Sequence, residues 1–202
     1  MLHTDRDFLD ATTAAVGRIE RGTDAELVVV AAERSGHYRD LQHAGAALAA
    51  LAALVAVLIA PVDVSPLAVP VELAVVYGLT YALLGGRPLL GRIVPAARAR
   101  AQAETAARDA FFAECVAGTP NRTGVLVYIS ALERAVVVVP DTGIAQVVPP
   151  GELGPVTSTW TADDLPRFLA GLDRLGAVLA HRAPHRPDSD HTNIPDEPRV
   201  YA

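Results

Sequence analysis

The spacing of apolar positions changes character several times along the chain, and each change marks an element. Phe8, Ala11, Ala15, Val16 and Ile19 recur at helical spacing, which predicts a helix over residues 5–21 stopped by Gly22. Glu26-Leu-Val-Val-Val-Ala-Ala32 is a nearly unbroken β-branched run, the pattern of a strand covered on both faces. From Ala44 to Ala60 there is no charge, and Val64 to Gly85 carries only Glu72, near its start. Residues 96–117 predict a helix with Ala107, Phe111 and Cys115 on one stripe and Gly118 as its stop. Residues 124–130 and 135–140 predict two strands around Leu132-Glu-Arg134, most simply an antiparallel pair. Asp141-Thr-Gly-Ile144 reads as a turn, followed by a Pro- and Gly-rich loop to Trp160. Thr161 or Asp164 caps a last helix with Leu165, Phe168, Leu169, Leu172, Gly176 and Leu179 on one face, and Pro166 falls in its first turn.

The two uncharged stretches are the most informative part of the pattern. Seven Leu, Val and Ile residues in the first favour insertion by roughly 2–4 kcal/mol, although seventeen residues is the short end of a spanning helix. Taken singly, it also fits a buried helix of a soluble protein. The second holds ten Leu and Val residues with Tyr77 and Tyr81, and Pro66 and Pro70 predict a late start or a kink. Two such runs joined by Val62-Asp63 are hard to bury in a soluble domain of this size, so a transmembrane hairpin over residues 43–86 is expected. Arg34 and Arg39 precede it, Arg87, Arg92, Arg98 and Arg100 follow it, and the turn has Asp63 and no Arg. The positive-inside rule places both flanks in the cytoplasm.

Composition agrees with a membrane segment: 51% of residues are hydrophobic and mean hydropathy is +0.28. All 17 basic residues are Arg, a bias resembling that of bacterial genes rich in GC, and the expected location is the bacterial inner membrane. A net charge of −6 without a basic block argues against nucleic-acid partners. Cys115 is the one cysteine, which excludes an intrachain disulfide and a thiolate metal cluster. The first residues are charged and have no apolar run behind them, so no signal peptide is expected. Neither half of the soluble sequence can form a sheet alone. The strand at 26–32 is expected to join the pair at 124–140 through a long crossover in which the hairpin is an insertion. The expected organisation is therefore residues 1–40 and 90–182 as two parts of one α/β domain, 43–86 as the hairpin, and 183–202 as a polar, Pro-rich tail.

Four stretches carry a family likeness: Glu20 to Ala31 with Ser35 and Tyr38, Arg122 to Ile144, Leu175 to Ala180 with Pro184, and Asn193-Ile-Pro-Asp196. Glu133-Arg-Ala-Val-Val-Val-Val-Pro-Asp141-Thr-Gly-Ile144 together with the terminal Asn-x-Ile-Pro-Asp resembles the TPM domain family, in particular its bacterial membrane subgroup with a hairpin inside the domain. The resemblance implies a small α/β/α layered domain with a mixed sheet. Relatives of this type have a longer helical stretch after the Asp-x-Gly-Ile turn, where this chain has a short loop over residues 149–160. Family functions are diverse: some soluble relatives bind divalent cations, a plant relative is linked to acid phosphatase activity and photosystem repair, and an animal relative is an auxiliary receptor subunit. That spread implies a membrane-associated accessory role, with docking on a protein partner or on a second copy.

Asp24, Glu26 and Asp141 are the carboxylates that the strand order could bring to one sheet edge, where two or three oxygens could hold Ca²⁺ or Mg²⁺. The alternative is that Asp24 and Asp141 are turn residues and Glu26 a solvated strand end. The same three residues would be the ligands of a metal-dependent phosphatase, the competing function. His181, His185, His191, Asp188 and Asp190 form a His/Asp-rich stretch whose prolines favour disorder. No nucleophile or phosphate-loop motif occurs, and Ser35, Ser130 and Thr142 have no evident partner base. Cys115 reads as a core residue, and Glu72 as an interfacial carboxylate.

Overall fold

The computed structural model describes residues 5–60, 65–158, 160, 164–186 and 194–201. Its elements are α1 (Arg6–Glu20), β1 (Glu26–Ala32), α2 (Arg39–Ile59), α3 (Val69–Leu84), α4 (Arg87–Ile93), α5 (Ala96–Ala113), β2 (Gly124–Ser130), β3 (Ala135–Pro140), α6 (Thr142–Val147), α7 (Pro150–Ser158), α8 (Leu165–Arg182) and β4 (Arg199–Tyr201). Two compact units result, one formed by Met1–Gly36 with Ala99–Ala202 and the other by His37–Arg98.

The first unit is an α/β domain on a four-stranded mixed sheet of order β3-β2-β1-β4. β1 runs parallel to β2, with Glu26 opposite Gly124 and Ala32 opposite Ser130, and parallel to β4. β2 and β3 are antiparallel. Every residue of β1 and β2 is buried, as their unbroken apolar runs require of strands covered on both faces. Alternation sends Leu27, Val29, Val125, Val127 and Ile129 to one side, where Phe8, Val16, Phe168, Leu172, Leu175 and Leu179 of α1 and α8 meet them. Val28, Val30, Leu126 and Tyr128 face the other side and pack against Ala107, Ala110 and Phe111 of α5. Each large apolar side chain so enclosed contributes about 1.5–3 kcal/mol. Asp5 caps α1 by accepting from the Phe8 N–H at 3.0 Å, and Asp164 caps α8 by accepting from the Arg167 N–H at 2.9 Å. The alternative cap, Thr161, lies outside the described residues.

Three expectations need correction. Residues 142–158 form two short helices where a turn and a loop were expected: Asp141 caps α6, and Pro150 opens α7 at the position where a missing N–H is harmless. Gly151 and Gly154 weaken α7, but Leu153 packs on the core, and Glu152 accepts from Arg182 Nε at 3.0 Å. Residues 199–201 are a strand of the sheet and do not belong to a polar tail. Cys115 is exposed rather than core, because α5 ends at Ala113 and Cys115 adopts φ 55°, leaving Val116 to fill the buried place.

The second unit is built on a helical hairpin. α2 has 21 residues, begins five residues earlier than the uncharged run, and is long and apolar enough to cross a membrane. α3 has 16 residues and starts only at Val69, with Pro70 in its first turn. The two helices pack through small positions: Ala46 is fully buried, and a Cβ on Gly45 would collide with Leu84. His43 Nδ1 and Tyr77 Oη lie 2.6 Å apart, and the His43 and Tyr81 rings are 4.7 Å apart between centroids. Asp40 accepts two hydrogen bonds from Arg98, whose guanidinium also lies 5.3 Å from the centre of the Tyr38 ring.

Candidate functional site

The register of the sheet decides where the three candidate carboxylates lie. Glu26 is opposite Gly124, and the Asp141 N–H donates to the Gly124 carbonyl at 2.8 Å, so all three sit at one edge, where β1 and β2 begin and β3 ends. They do not become a cluster. Among the described residues no group of three or more His, Cys, Asp or Glu is placed to hold a metal ion.

Asp141 and Asp24 are instead engaged locally. Asp141 is only 2% exposed; its Oδ1 accepts from the Thr142 N–H at 2.6 Å and forms an ion pair with Arg122 at 2.9 Å. Arg122 reaches it from a left-handed backbone position, φ 55°. Gly143 lets the start of α6 approach this turn, since a Cβ there would collide with the carbonyls of Asn121 and Arg122. Asp141 Oδ2 is buried and has no hydrogen-bond partner among the described residues. Asp24 accepts from the Arg186 N–H at 2.8 Å, with His185 Nδ1 at 3.6 Å and Arg186 Nε at 3.8 Å. Asp24, Asn121, Thr123, Gly143, Arg182 and Arg186 line a shallow pocket of about 280 Å³ at this edge.

Glu26 is buried, and beside it lies a residue that the sequence did not single out. Glu20, at the end of α1, accepts from the Leu27 N–H at 2.8 Å, a donor on the side of β1 away from β2. Burial raises the Glu20 carboxyl to about 8; the Leu27 N–H lowers it, and the negative fields of Glu26 and Asp196 push it further up. Glu20 therefore keeps its proton near neutral pH. A sequence signal existed in the Glu20 and Asp196 positions of the quoted likeness, but nothing local said that they meet.

At the opposite end of β1 and β2, Ser35 Oγ lies 2.6 Å from Ser130 Oγ, which donates to Glu133 Oε2 at 2.5 Å. Glu133 also accepts from the N–H groups of Ser35 and Gly36 at 3.0–3.1 Å. The expectation that Ser35 and Ser130 lack a partner base is corrected by Glu133. With the Ser35 and Gly36 N–H groups on it as well as the Ser130 hydroxyl, this carboxylate anchors the loop after β1. Tyr128, held above the usual phenol range by burial, completes the network at 3.2 Å from Ser35 Oγ. Thr142 is occupied at the α6 cap, and of the His/Asp-rich stretch only His181 and His185 fall within the described residues.

The second unit carries exposed apolar surface. Leu48, Leu51, Leu58 and Ile59 of α2 and Val71, Val75, Leu79 and Leu83 of α3 point outward, with Leu58 75% exposed. Glu72 is exposed in the first turn of α3.

No family model and no curated protein matches the chain. Among solved structures, it is similar to the NMR structure of the BA42 protein from the psychrophilic bacterium Bizionia argentinensis. The match covers 97% of this chain and 94% of that one, with a TM-score of 0.56 and 14% identity. At that identity the likeness shows the fold alone.

Proposed function

We propose that this protein is an integral protein of the bacterial inner membrane, with a TPM-like α/β domain that faces the cytoplasm and docks on another protein or a second copy. The observation that carries the reading is the outward apolar surface on both helices of the hairpin, where Leu48 is 67% and Val75 61% exposed. Scattered single apolar residues need no explanation, but two adjacent helices apolar on their outer faces call for a nonaqueous surrounding or a protein cover. α2 is about 31 Å long, the thickness of a bilayer core, whereas α3 at about 24 Å is short of it and needs the segment before it or local thinning. Reporter fusions after Asp63 and after Tyr201 should report opposite compartments, with the latter in the cytoplasm. The same compartment for both, or release of the protein by alkaline carbonate, would remove the hairpin topology.

One observation favours divalent-cation binding as an added property: the buried, unpartnered Asp141 Oδ2. A Ca²⁺ or Mg²⁺ ion there would take that oxygen with carbonyl or water oxygens, and with Asp24 or Glu26 after local rearrangement. Millimolar Ca²⁺ or Mg²⁺ should then raise the melting temperature, and Asp141→Asn should abolish the rise. An unchanged melting temperature in both ions removes this property and leaves the docking reading standing. The phosphatase reading gains no support of its own, since among the described residues no group of three or more His, Cys, Asp or Glu is placed to hold the metal it needs.

A further inference from the structure

We propose that α4, with the base of the hairpin beside it, is an interfacial element that binds anionic phospholipid headgroups; this rests on the membrane reading above and specifies the lipid. Three observations lead to it. The first is charge. Between Glu72 and Glu104 the sequence holds Arg87, Arg92, Arg98 and Arg100 and no Asp or Glu, in a chain whose net charge is −6. Asp40 at the start of α2 is already engaged by Arg98. Arg39 and Arg92 are exposed and have no acidic partner among the described residues, so the base of the hairpin keeps uncompensated positive charge.

The second is the form of α4. It follows α3 after Gly85 and Gly86 and packs against it, and its Leu90 is buried. Leu89 and Ile93, four residues apart and so on one face, are 40% and 39% exposed. A short helix that turns two aliphatic side chains outward and carries an unpaired arginine between them suits the boundary between acyl chains and headgroups. The third is the aromatic set. Tyr81, in the last turn of α3, is stacked at 6.5 Å on Tyr77 at the middle of the helix, and both engage His43 near the start of α2. A tyrosine at the end of an apolar hairpin, as Tyr81 is, marks the depth at which a polar tip meets water. Phosphate is the complement that arginines at this depth recognise, as a planar fork of donors to an anionic oxygen pair.

The test uses the full chain with Leu89→Trp, whose indole is the reporter; the native Trp160 is buried in the α/β domain and gives a constant background. The protein is reconstituted into phosphatidylcholine vesicles with and without phosphatidylglycerol, and quenching by lipids brominated at graded depths is recorded. Native mass spectrometry of the wild type counts retained phosphatidylglycerol against phosphatidylcholine. Strongest quenching from bromines near the headgroup, and retained phosphatidylglycerol in excess, are expected. Arg39→Gln and Arg92→Gln should each reduce that excess by about fivefold, the factor expected for one surface arginine. Equal retention of the two lipids, an excess unchanged in both variants, or an indole emitting as in water within reconstituted protein overturns the proposal. Protein that fails to enter either kind of vesicle overturns the membrane reading itself, and flotation distinguishes that result from the others.

Discussion

Glu20 is the residue with the largest consequence for solution behaviour. An ordinary glutamate loses its proton near 4.5, whereas this one holds it to about 8 in the folded chain. Below 4.5 the carboxyl is protonated folded and unfolded alike, and its favourable contribution is complete. Between 4.5 and 8 the unfolded chain has lost the proton that the folded chain keeps, so stability should decline as pH rises through this window and level off above it. Thermal melting in detergent across that range should show the decline. Glu20→Gln, which keeps an acceptor for the Leu27 N–H and removes the ionisation, should flatten it and melt higher than wild type at pH 8. A wild-type profile that rises from 4.5 to 8 contradicts the buried acid. Arg122 gives a second test at this scale. Arg122→Ala leaves the buried Asp141 carboxylate without its counter-ion and should lower stability by about 1–3 kcal/mol, whereas Arg122→Ala combined with Asp141→Asn should recover most of the loss. An Arg122→Ala protein as stable as wild type would show that the pair is dispensable. The carboxylates at this edge were legible in the sequence, but their partners were not. Arg122 and Asp141 are far enough apart in the chain that only the β2–β3 register makes them neighbours, and Glu20 meets Asp196 through the same kind of long-range closure.

Elements were more legible than contacts, and the exceptions have physical causes. β1, β2 and β3 fall where their β-branched runs end, because a strand buried on both faces writes its length directly into sequence. The prolines at 66 and 70 delay α3 as expected. α6 and α7 escaped notice since glycines and prolines suppress helical periodicity, and what holds them is tertiary: the Asp141 cap, Leu153 in the core, and Arg182 on Glu152. α8 shows the converse, a helix whose period was plain but whose closest contact was not. Trp160 stacks on Phe168 with centroids 5.6 Å apart, donates from Nε1 to the Phe168 carbonyl at 3.1 Å, and occupies the space a Cβ on Gly171 would need. Gly171→Ala should therefore destabilise by about 1–3 kcal/mol despite its better helix propensity, with loss of the buried-indole fluorescence signature before global melting. A stabilised Gly171→Ala variant would mean that the indole packs elsewhere.

The α/β domain is held together by a central strand, β1. β1 lies inside the sheet with β2 on one side and β4 on the other, and both neighbours follow the hairpin in sequence. A fragment of residues 95–202 lacks the strand between β2 and β4 and should not fold cooperatively; a single sharp unfolding transition from that fragment would contradict the split domain. Addition of a separate peptide spanning residues 1–36 should restore protection of β2 amides from hydrogen exchange, because the missing strand supplies partners to two others.

That placement of β1 also sets a schedule. The strand is complete at Ala32, but its first partner does not begin until Gly124. At elongation rates of about 5–20 residues per second, this strand, apolar but for Glu26, waits roughly 5–20 s with neither edge paired, while the hairpin is being made. Its only early companion is α1, synthesised before it, whose Phe8, Val16 and Ile19 can shield one face but leave both hydrogen-bonding edges open. During translation the nascent chain is thus a carrier of one unpaired sticky strand followed by the apolar hairpin, and its yield in a cell should depend more on whatever shelters β1 in that interval than on the stability of the finished domain.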